Sequence, residues 1–407
     1  MADDLTGALD AAAPFARGGL IVRVHRRVGG LPVAPPGASG PFQPSRSGPP
    51  RAEDPRSPGT VLAVSTSSRH LAPDAARSAV EAAGRRLRTW SPRLVFKKID
   101  STLRGPVADE VVAAMQVFER RSALVCPAFP AAGRVVRDGE VHVHGVALRE
   151  SEYARDLRTP SPVEPLSALF GRFGAVRGLQ SDETLAGDGI SGITIADAET
   201  DAHLSRLAVL VSEHAREVLA VGSDGLATSL AGRLGRPGAG VRLAGGEGRV
   251  VLYAIGSRAG AAQEQTQRLI EARPGVPVVD APAGVLDPGA VVRAAGTARA
   301  VVARVPAVPR GEPAAVVEAF AAGIRTSIDR LGGPGRLGAL VATGGDTVEG
   351  ILDALGVAAL DVLGEFRPGI PVSRAGSAGD GLTLVSKAGG FGTPDLFAEI
   401  AAETAEP

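Results

Sequence analysis

The sequence is poor in lysine, cysteine, aromatic residues and long apolar runs, and each shortage excludes something. A single cysteine, Cys126, occurs in 407 residues, which rules out an internal disulfide framework and a cysteine-rich zinc site. It sits in "ALVCPAFP" after an apolar run and reads as a small buried residue. Aromatics make up 3% of the chain, so the cores must be built from Ala, Val and Leu. No stretch of about 18 apolar residues occurs, so no membrane-spanning helix is predicted. The opening "MADDLTG" has neither a basic nor an apolar leader region, and a cytoplasmic location is expected by elimination. Lysine plus arginine equals aspartate plus glutamate, 44 each, which leaves no whole-chain field to gather nucleic acid or anionic membrane. A small-molecule partner is therefore expected. Nearly all the positive charge is arginine, as a GC-rich coding sequence would give, so arginine abundance is not evidence of function. Only three lysines are present, Lys97, Lys98 and Lys387. All three lie in motif-like stretches.

The length exceeds one ordinary core, and two domains are expected. Short apolar segments such as "GLIVRV", "TVLAVS", "RLVFKK", "SALVCP", "EVLAVG", "RVVLYAIG", "RAVVAR" and "GALVATGG" alternate with Ala-rich helical patterns. This predicts an α/β fold, two α/β domains with mainly parallel sheets. Residues 29–59 mix Pro and Gly without period and read as a surface excursion. Residues 232–249 are Gly-rich and read as a linker, which divides the chain into 1–234 and 235–407.

In "ADDLTGALD", Asp3 and Asp4 stand on a loop at a helix N-terminus, where α/β proteins bind ligands. Acids there can accept hydrogen bonds from a polyol or act as a base on a hydroxyl, although a plain N-cap uses the same residues. Such a loop normally follows a strand, yet only Met1 and Ala2 precede it here. In "KKIDSTLRG", strand alternation sends Lys97 and Lys98 to opposite faces, and Asp100, Ser101, Thr102 and Arg104 crowd the following turn. The cluster suits a small anionic polyol, its cations holding a carboxylate and its acid and hydroxyls holding alcohol groups. Further on, "RDGEV" predicts a hairpin with an Asp-Gly turn. His142 and His144 would share a strand face there, but no third metal ligand is evident and no metal site is assigned. The second half carries "AIGSRAGAAQEQ", "VATGGDTVEGIL" and "VSKAGGFGTPDLF", each after an apolar segment. Such glycine-bearing loops aim backbone amides and helix N-termini at phosphate. No G-x-x-x-x-G-K-[ST] occurs, and the literal G-x-G-x-x-G at "GPGRLG" precedes a strand instead of following one, so neither a Walker site nor a dinucleotide fingerprint is assigned.

The ordered set "ADDLTGALD", "STSSR", "KKIDSTLRG", "CPAFPAAGR" with "DGEVHVHGVAL", "GSDGLA", "GSRAG", "TGGDT", "GEFRPGIP" and "KAGGFG" resembles the four-carbon acid sugar kinases across almost the whole chain. These enzymes phosphorylate D-threonate, D-erythronate or 3-oxo-tetronate with ATP. The resemblance implies an N-terminal acid-sugar domain, a C-terminal ATP domain and catalysis in a cleft between them. It implies that Asp3, Asp4, Arg69, Lys98, Asp100, Ser101 and Arg104 face the sugar acid, with the base among Asp3, Asp4 and Asp100. It implies that ATP, with Mg²⁺, meets Ser257, Gly344, Gly345, Asp346, Thr347 and Gly389. A homo-oligomer is compatible with this reading. The sequence departs from the family pattern at four points: the apolar strand before the first loop is absent, Pro106 stands where a polar residue is usual, Ala262 stands where threonine is common, and the Pro-rich stretch within residues 29–59 reads as an insertion. The other class to weigh is a non-catalytic acid-sugar or nucleotide binder derived from such a kinase.

Overall fold

The structure is a computed structural model describing residues 1–33, 59–156, 159–181, 183, 190–236, 238–243, 249–306, 311–376 and 381–405. Most of the Pro-rich excursion expected at 29–59, and part of the expected 232–249 linker, lie outside the described residues. The chain divides into two compact units, Met1–Gly238 and Ala239–Pro407.

The first unit runs α1 (Leu5–Arg17), β1 (Ile21–His25), β2 (Thr60–Val64), α2 (Pro73–Arg88), β3 (Phe96–Lys98), α3 (Val107–Val117), β4 (Ser122–Cys126), β5 (Arg134–Arg137), β6 (Glu140–Val143) and β7 (Val146–Ala147). It continues with α4 (Leu166–Gly171), β8 (Val176–Leu179), β9 (Ile193–Ala196), α5 (Asp201–Glu213), β10 (Val218–Gly222) and α6 (Asp224–Leu234). Strands β3-β10-β4-β9-β8 form a parallel sheet in that order, and β1 pairs with β2, also in parallel. β4, β9 and β10 are buried along their whole lengths, which is why they read as unbroken apolar runs instead of alternating ones. The predicted hairpin is β5 to β6, turning through Asp138 and Gly139 at φ 51° and 71°, the left-handed pair a two-residue hairpin demands. β6 ends at Val143, and His144 follows in a left-handed turn at φ 49°. His142 and His144 thus do not share a strand face, because His144 already stands in the turn that leads into β7. Among the described residues no group of three or more potential metal ligands is found. Cys126 is buried, and burial pushes its thiol up to about 12.

The second unit runs β11 (Val250–Ile255), α7 (Gly260–Ala272), β12 (Val278–Asp280), α8 (Pro288–Ala295), β13 (Ala300–Arg304), α9 (Pro313–Arg330), β14 (Leu337–Thr343), α10 (Gly345–Ala354), β15 (Ala359–Arg367), β16 (Ile370–Ala375), β17 (Leu382–Lys387) and α11 (Leu396–Ala405). Its strands lie in the order β12-β13-β11-β14-β17-β16-β15. The first five are parallel, and β16 is antiparallel to both of its neighbours. Val251, Tyr253, Val341, Val385, Phe397 and Ile400 belong to the core on one face. Tyr253 is completely buried and satisfies its hydroxyl on the Phe397 carbonyl at 2.9 Å, so one of the few aromatics joins β11 to α11. Topology brings the ends of β11, β14 and β17 side by side. All three predicted glycine loops start there.

Candidate functional site

In the first unit, the carboxyl ends of neighbouring parallel elements deliver a dense ionic cluster. Asp4 caps α1, its Oδ1 accepting from the Gly7 N–H at 2.8 Å. Arg69, on the loop after β2, donates from Nε and Nη2 to the two oxygens of Asp3 at 2.7 and 3.0 Å, and from Nη1 to Asp4 at 2.7 Å. Its Nη2 also lies 3.9 Å from Asp100. Asp100, on the loop after β3, accepts from the Thr102 hydroxyl and from Arg104 Nε and Nη2 at 2.8 and 3.0 Å. Ser101 is buried in the same turn. Lys98 turns to the α1 side of β3 and lies 3.5 Å from Asp224, the first residue of α6. A methyl group on Gly7 would come within 3.2 Å of the Lys98 ammonium, so glycine is what lets that lysine reach the N-terminus of α1. Lys97, on the opposite face as alternation predicts, makes a fully buried pair with Glu110 of α3 at 2.6 Å. Only one of the two adjacent lysines belongs to the cluster.

The three buried acids of the cluster, Asp3, Asp100 and Asp224, do not share one electrostatic state. Burial opposes ionisation of Asp3 and Asp100, but arginine outweighs it in both. Arg69, with Lys97 and Lys98, lowers Asp3; Arg69, Arg104 and the Thr102 hydroxyl hold Asp100 well below the usual range. Asp224 goes the other way. Burial, aided by the nearby Asp100 and Asp4 charges, raises it despite Lys98. Burial would lower Lys98, but Asp224, Asp3 and Asp4 raise it overall. Asp224 lies in "GSDGLA", a stretch that carries the family resemblance but assigns it no role. The available signal was its position directly after β10, the strand next to β3, where parallel sheets collect ligand-binding groups.

In the second unit the three glycine loops converge on Ser257. A Cβ added at Gly389 would fall 2.2 Å from Ser257 Oγ, one at Gly344 3.3 Å from Ser257 Cβ, and one at Gly256 2.0 Å from Thr347 Oγ1. The Gly344 N–H donates to the Lys387 carbonyl at 3.1 Å, tying the β14 loop to the β17 loop. Helices α7 and α10 both begin here without a side-chain cap, so their first amides are available to an anion. Gly345 and Asp346 are the first two residues of α10. Lys387 is buried, donates to the Gly389 carbonyl at 3.0 Å, and lies 5.6 Å from the Phe397 ring centre. Burial lowers its ammonium to about 8. Ala262 is buried in the first turn of α7, where a methyl group packs without adding a donor.

Residues 1–230 match the family described as "Sugar-binding N-terminal domain", and residues 308–397 match "Nucleotide-binding C-terminal domain". A D-threonate kinase of Bordetella bronchiseptica is 32% identical over 98% of this chain and 96% of its own. The chain belongs to the four-carbon acid sugar kinase family. Among other members, a D-threonate kinase of Salmonella typhimurium is 31% identical, and a 3-oxo-tetronate kinase of Methylobacterium radiotolerans 28%, each over 98% of this chain and 96% of the relative. The fold is also that of a solved Haemophilus influenzae protein, with a TM-score of 0.70 at 20% identity over 99% of both chains. No helix among the described residues is long and apolar enough to cross a membrane.

Proposed function

We propose that this sugar acid kinase transfers the γ-phosphoryl group of ATP to the terminal hydroxyl of a four-carbon sugar acid of the threonate, erythronate or 3-oxo-tetronate type. The observation that carries the reading is the cluster at the carboxyl ends of the first unit's parallel elements. There Asp3, Asp4, Arg69, Lys98, Asp100, Ser101 and Arg104 are joined by Asp224. Arg104 leaves 30% of its side chain exposed while bound to Asp100, and it is the cation best placed to take up a substrate carboxylate. Lys98 is almost enclosed and adds positive charge from beneath. Asp3, Asp4 and Asp100 spend their oxygens on arginine and on the α1 amide, which suits them to fix the cluster and to receive substrate hydroxyls. Asp224, raised by burial, has the greater proton affinity and is the better base for the attacking hydroxyl.

In the second unit Ser257, Gly344, Gly345, Asp346, Thr347 and Gly389 form the phosphate cradle. The fit rests on the close approach of Gly389 to Ser257, which leaves no room for a Cβ, on the tight approach of Gly344 to the same residue, and on two uncapped helix starts. Mg²⁺, when bound with the nucleotide, neutralises charge on the phosphate oxygens. Magnesium held largely by phosphates and water needs only one or two protein carboxylates. Lys387 supplies a further positive charge beneath the cradle.

The test is ADP formation with ATP and Mg²⁺ against D-threonate, D-erythronate, L-threonate and 3-oxo-tetronate. Turnover dependent on one of these acids is expected, together with its loss in Asp100→Ala. A folded chain that turns over none of them, or an Asp100→Ala variant as active as the parent, would sink the assignment.

A further inference from the structure

Lys387 is the only lysine of the second unit, and it closes β17 at the point where the three glycine loops meet. Its own carbonyl accepts from Gly344 N–H at 3.1 Å. Its side chain donates to Gly389 O at 3.0 Å, in the turn that touches Ser257. The side chain is buried, yet an ammonium has three hydrogens to place, and among the described residues this one makes no second hydrogen bond and no ion pair. Thr343 stands opposite it in the β14–β17 register, and the Thr343 hydroxyl is also buried without a hydrogen bond. Charged groups on the neighbouring elements do not serve as its counter-ion. Glu264 and Arg268 of α7, Asp346 of α10 and Asp395 before α11 are exposed. Glu399 of α11 pairs with Arg367, Glu403 accepts from Leu243 N–H, and Glu365 of β15 accepts from Gly369 N–H at 2.9 Å. Arg374, the one charged residue of β16, lies opposite Thr383 at the far end of β17. Tyr253 of β11 gives its hydroxyl to Phe397 O. What remains is the Phe397 ring, its centre 5.6 Å away, a weak partner for a cation taken out of water.

We propose that the counter-ion Lys387 lacks within the chain is the phosphate chain of the nucleotide, and that nucleotide binding draws one proton from solvent onto this amine. The inference rests on the reading of the cradle as a phosphate site and adds how that site responds to pH. In the protein itself desolvation lowers the amine to about 8, so amine and ammonium are both populated between about pH 7 and about pH 9. The bond to Gly389 O needs one N–H and survives in either form. Phosphate held by the loops brings negative charge to the amine and favours the ammonium. One N–H forms on Nζ, solvent supplies the proton, and no bond of the nucleotide is made or broken. Little else in this unit can mask the exchange. Residues 239–407 contain no histidine and no cysteine, burial raises the Tyr253 hydroxyl out of this range, and a phosphate with a second pKa of about 6 is already ionised.

The test is calorimetric titration of the full chain with MgADP in buffers of different ionisation enthalpy, which counts the protons exchanged. Uptake is expected to rise from about 0.1 proton at about pH 7 to about 0.9 at about pH 9, because the free amine is mostly charged at the first and mostly neutral at the second. The Kd for MgADP should weaken by about tenfold over the same interval, in step with the protonated fraction. In Lys387→Met both trends are expected to vanish. A second measurement reads the amine directly in the parent chain, labelled with ¹³C at the lysine ε carbons. One of the three lysine signals should titrate near about pH 8, and saturation with MgADP should abolish that titration below about pH 9.5. The other two lysines are each paired with a carboxylate, so the signal is recognised by its response to MgADP. This measurement decides the matter if Lys387→Met does not fold. A free chain with no lysine signal titrating below about pH 9.5 overturns the inference and leaves the phosphate cradle standing. So does a titration that MgADP leaves in place, or an uptake that persists in Lys387→Met. A chain that does not bind MgADP at all loses the cradle and the inference together.

Discussion

Asp224 and Asp100 are both buried carboxylates near cations, yet their surroundings shift their proton affinities in opposite directions. Asp100 is fastened by two bonds from Arg104 and one from Thr102, and a carboxylate so held is a poor proton acceptor. Asp224 faces one ammonium at 3.5 Å, and burial raises its proton affinity. Asp224→Asn should therefore lower kcat by about 10²- to 10⁴-fold, the range for removing a general base, with the KM for the acid changed by less than about threefold. Steady-state kinetics over both substrates checks this. A large rise in KM at unchanged kcat would instead make Asp224 a substrate-binding residue. Arg104→Ala should show that opposite pattern, raising the KM for the acid by about tenfold or more, because its partly exposed guanidinium is read as the carboxylate anchor.

At the scale of elements, the parallel strands were legible because their apolar runs are bounded by loops and covered on both faces. β3 was legible only in part. The segment "RLVFKK" suggests six strand residues, but pairing with β10 begins at Phe96, while Leu94 and Val95 line an apolar cavity. The convergence of three glycine loops was legible loop by loop. Their meeting point on Ser257 was not, because sequence does not give the strand order that makes β11, β14 and β17 neighbours. Asp224 was hidden for the same reason: β10 is distant from β3 in sequence and adjacent to it in the sheet. The cradle makes its own prediction. Gly389→Ala places a methyl group 2.2 Å from Ser257 Oγ, so the KM for ATP should rise by about tenfold or more while that for the acid stays put. Gly335→Ala, where an added methyl meets nothing within 4 Å, should leave both unchanged.

For the molecule as a whole, acid should act first on the ionic cluster that joins the ends of β2, β3 and α1. Asp3 and Asp100 have folded-state values below their ordinary 3.8, so the folded state binds fewer protons than the unfolded one as pH falls through that region. Their contribution is fully present above the unfolded value and is lost as pH drops toward the folded one. Asp224 carries the reverse sign. Its folded value is raised, so it withdraws stability as pH rises above the ordinary carboxylate range, an effect that Asp224→Asn abolishes. Trp90 lies in the first unit and is the only tryptophan, so its fluorescence follows that unit's unfolding without interference from the second. The urea midpoint read from Trp90 should fall steadily from about pH 5 to about pH 3 in the parent chain. In Asp224→Asn, measured against the parent, the midpoint should gain ground as pH rises above the ordinary carboxylate range, because the penalty of ionising a buried carboxylate is gone. A variant that instead tracks the parent at every pH would mean that Asp224 ionises as easily folded as unfolded, and the base would have to be sought among the acids that arginine holds.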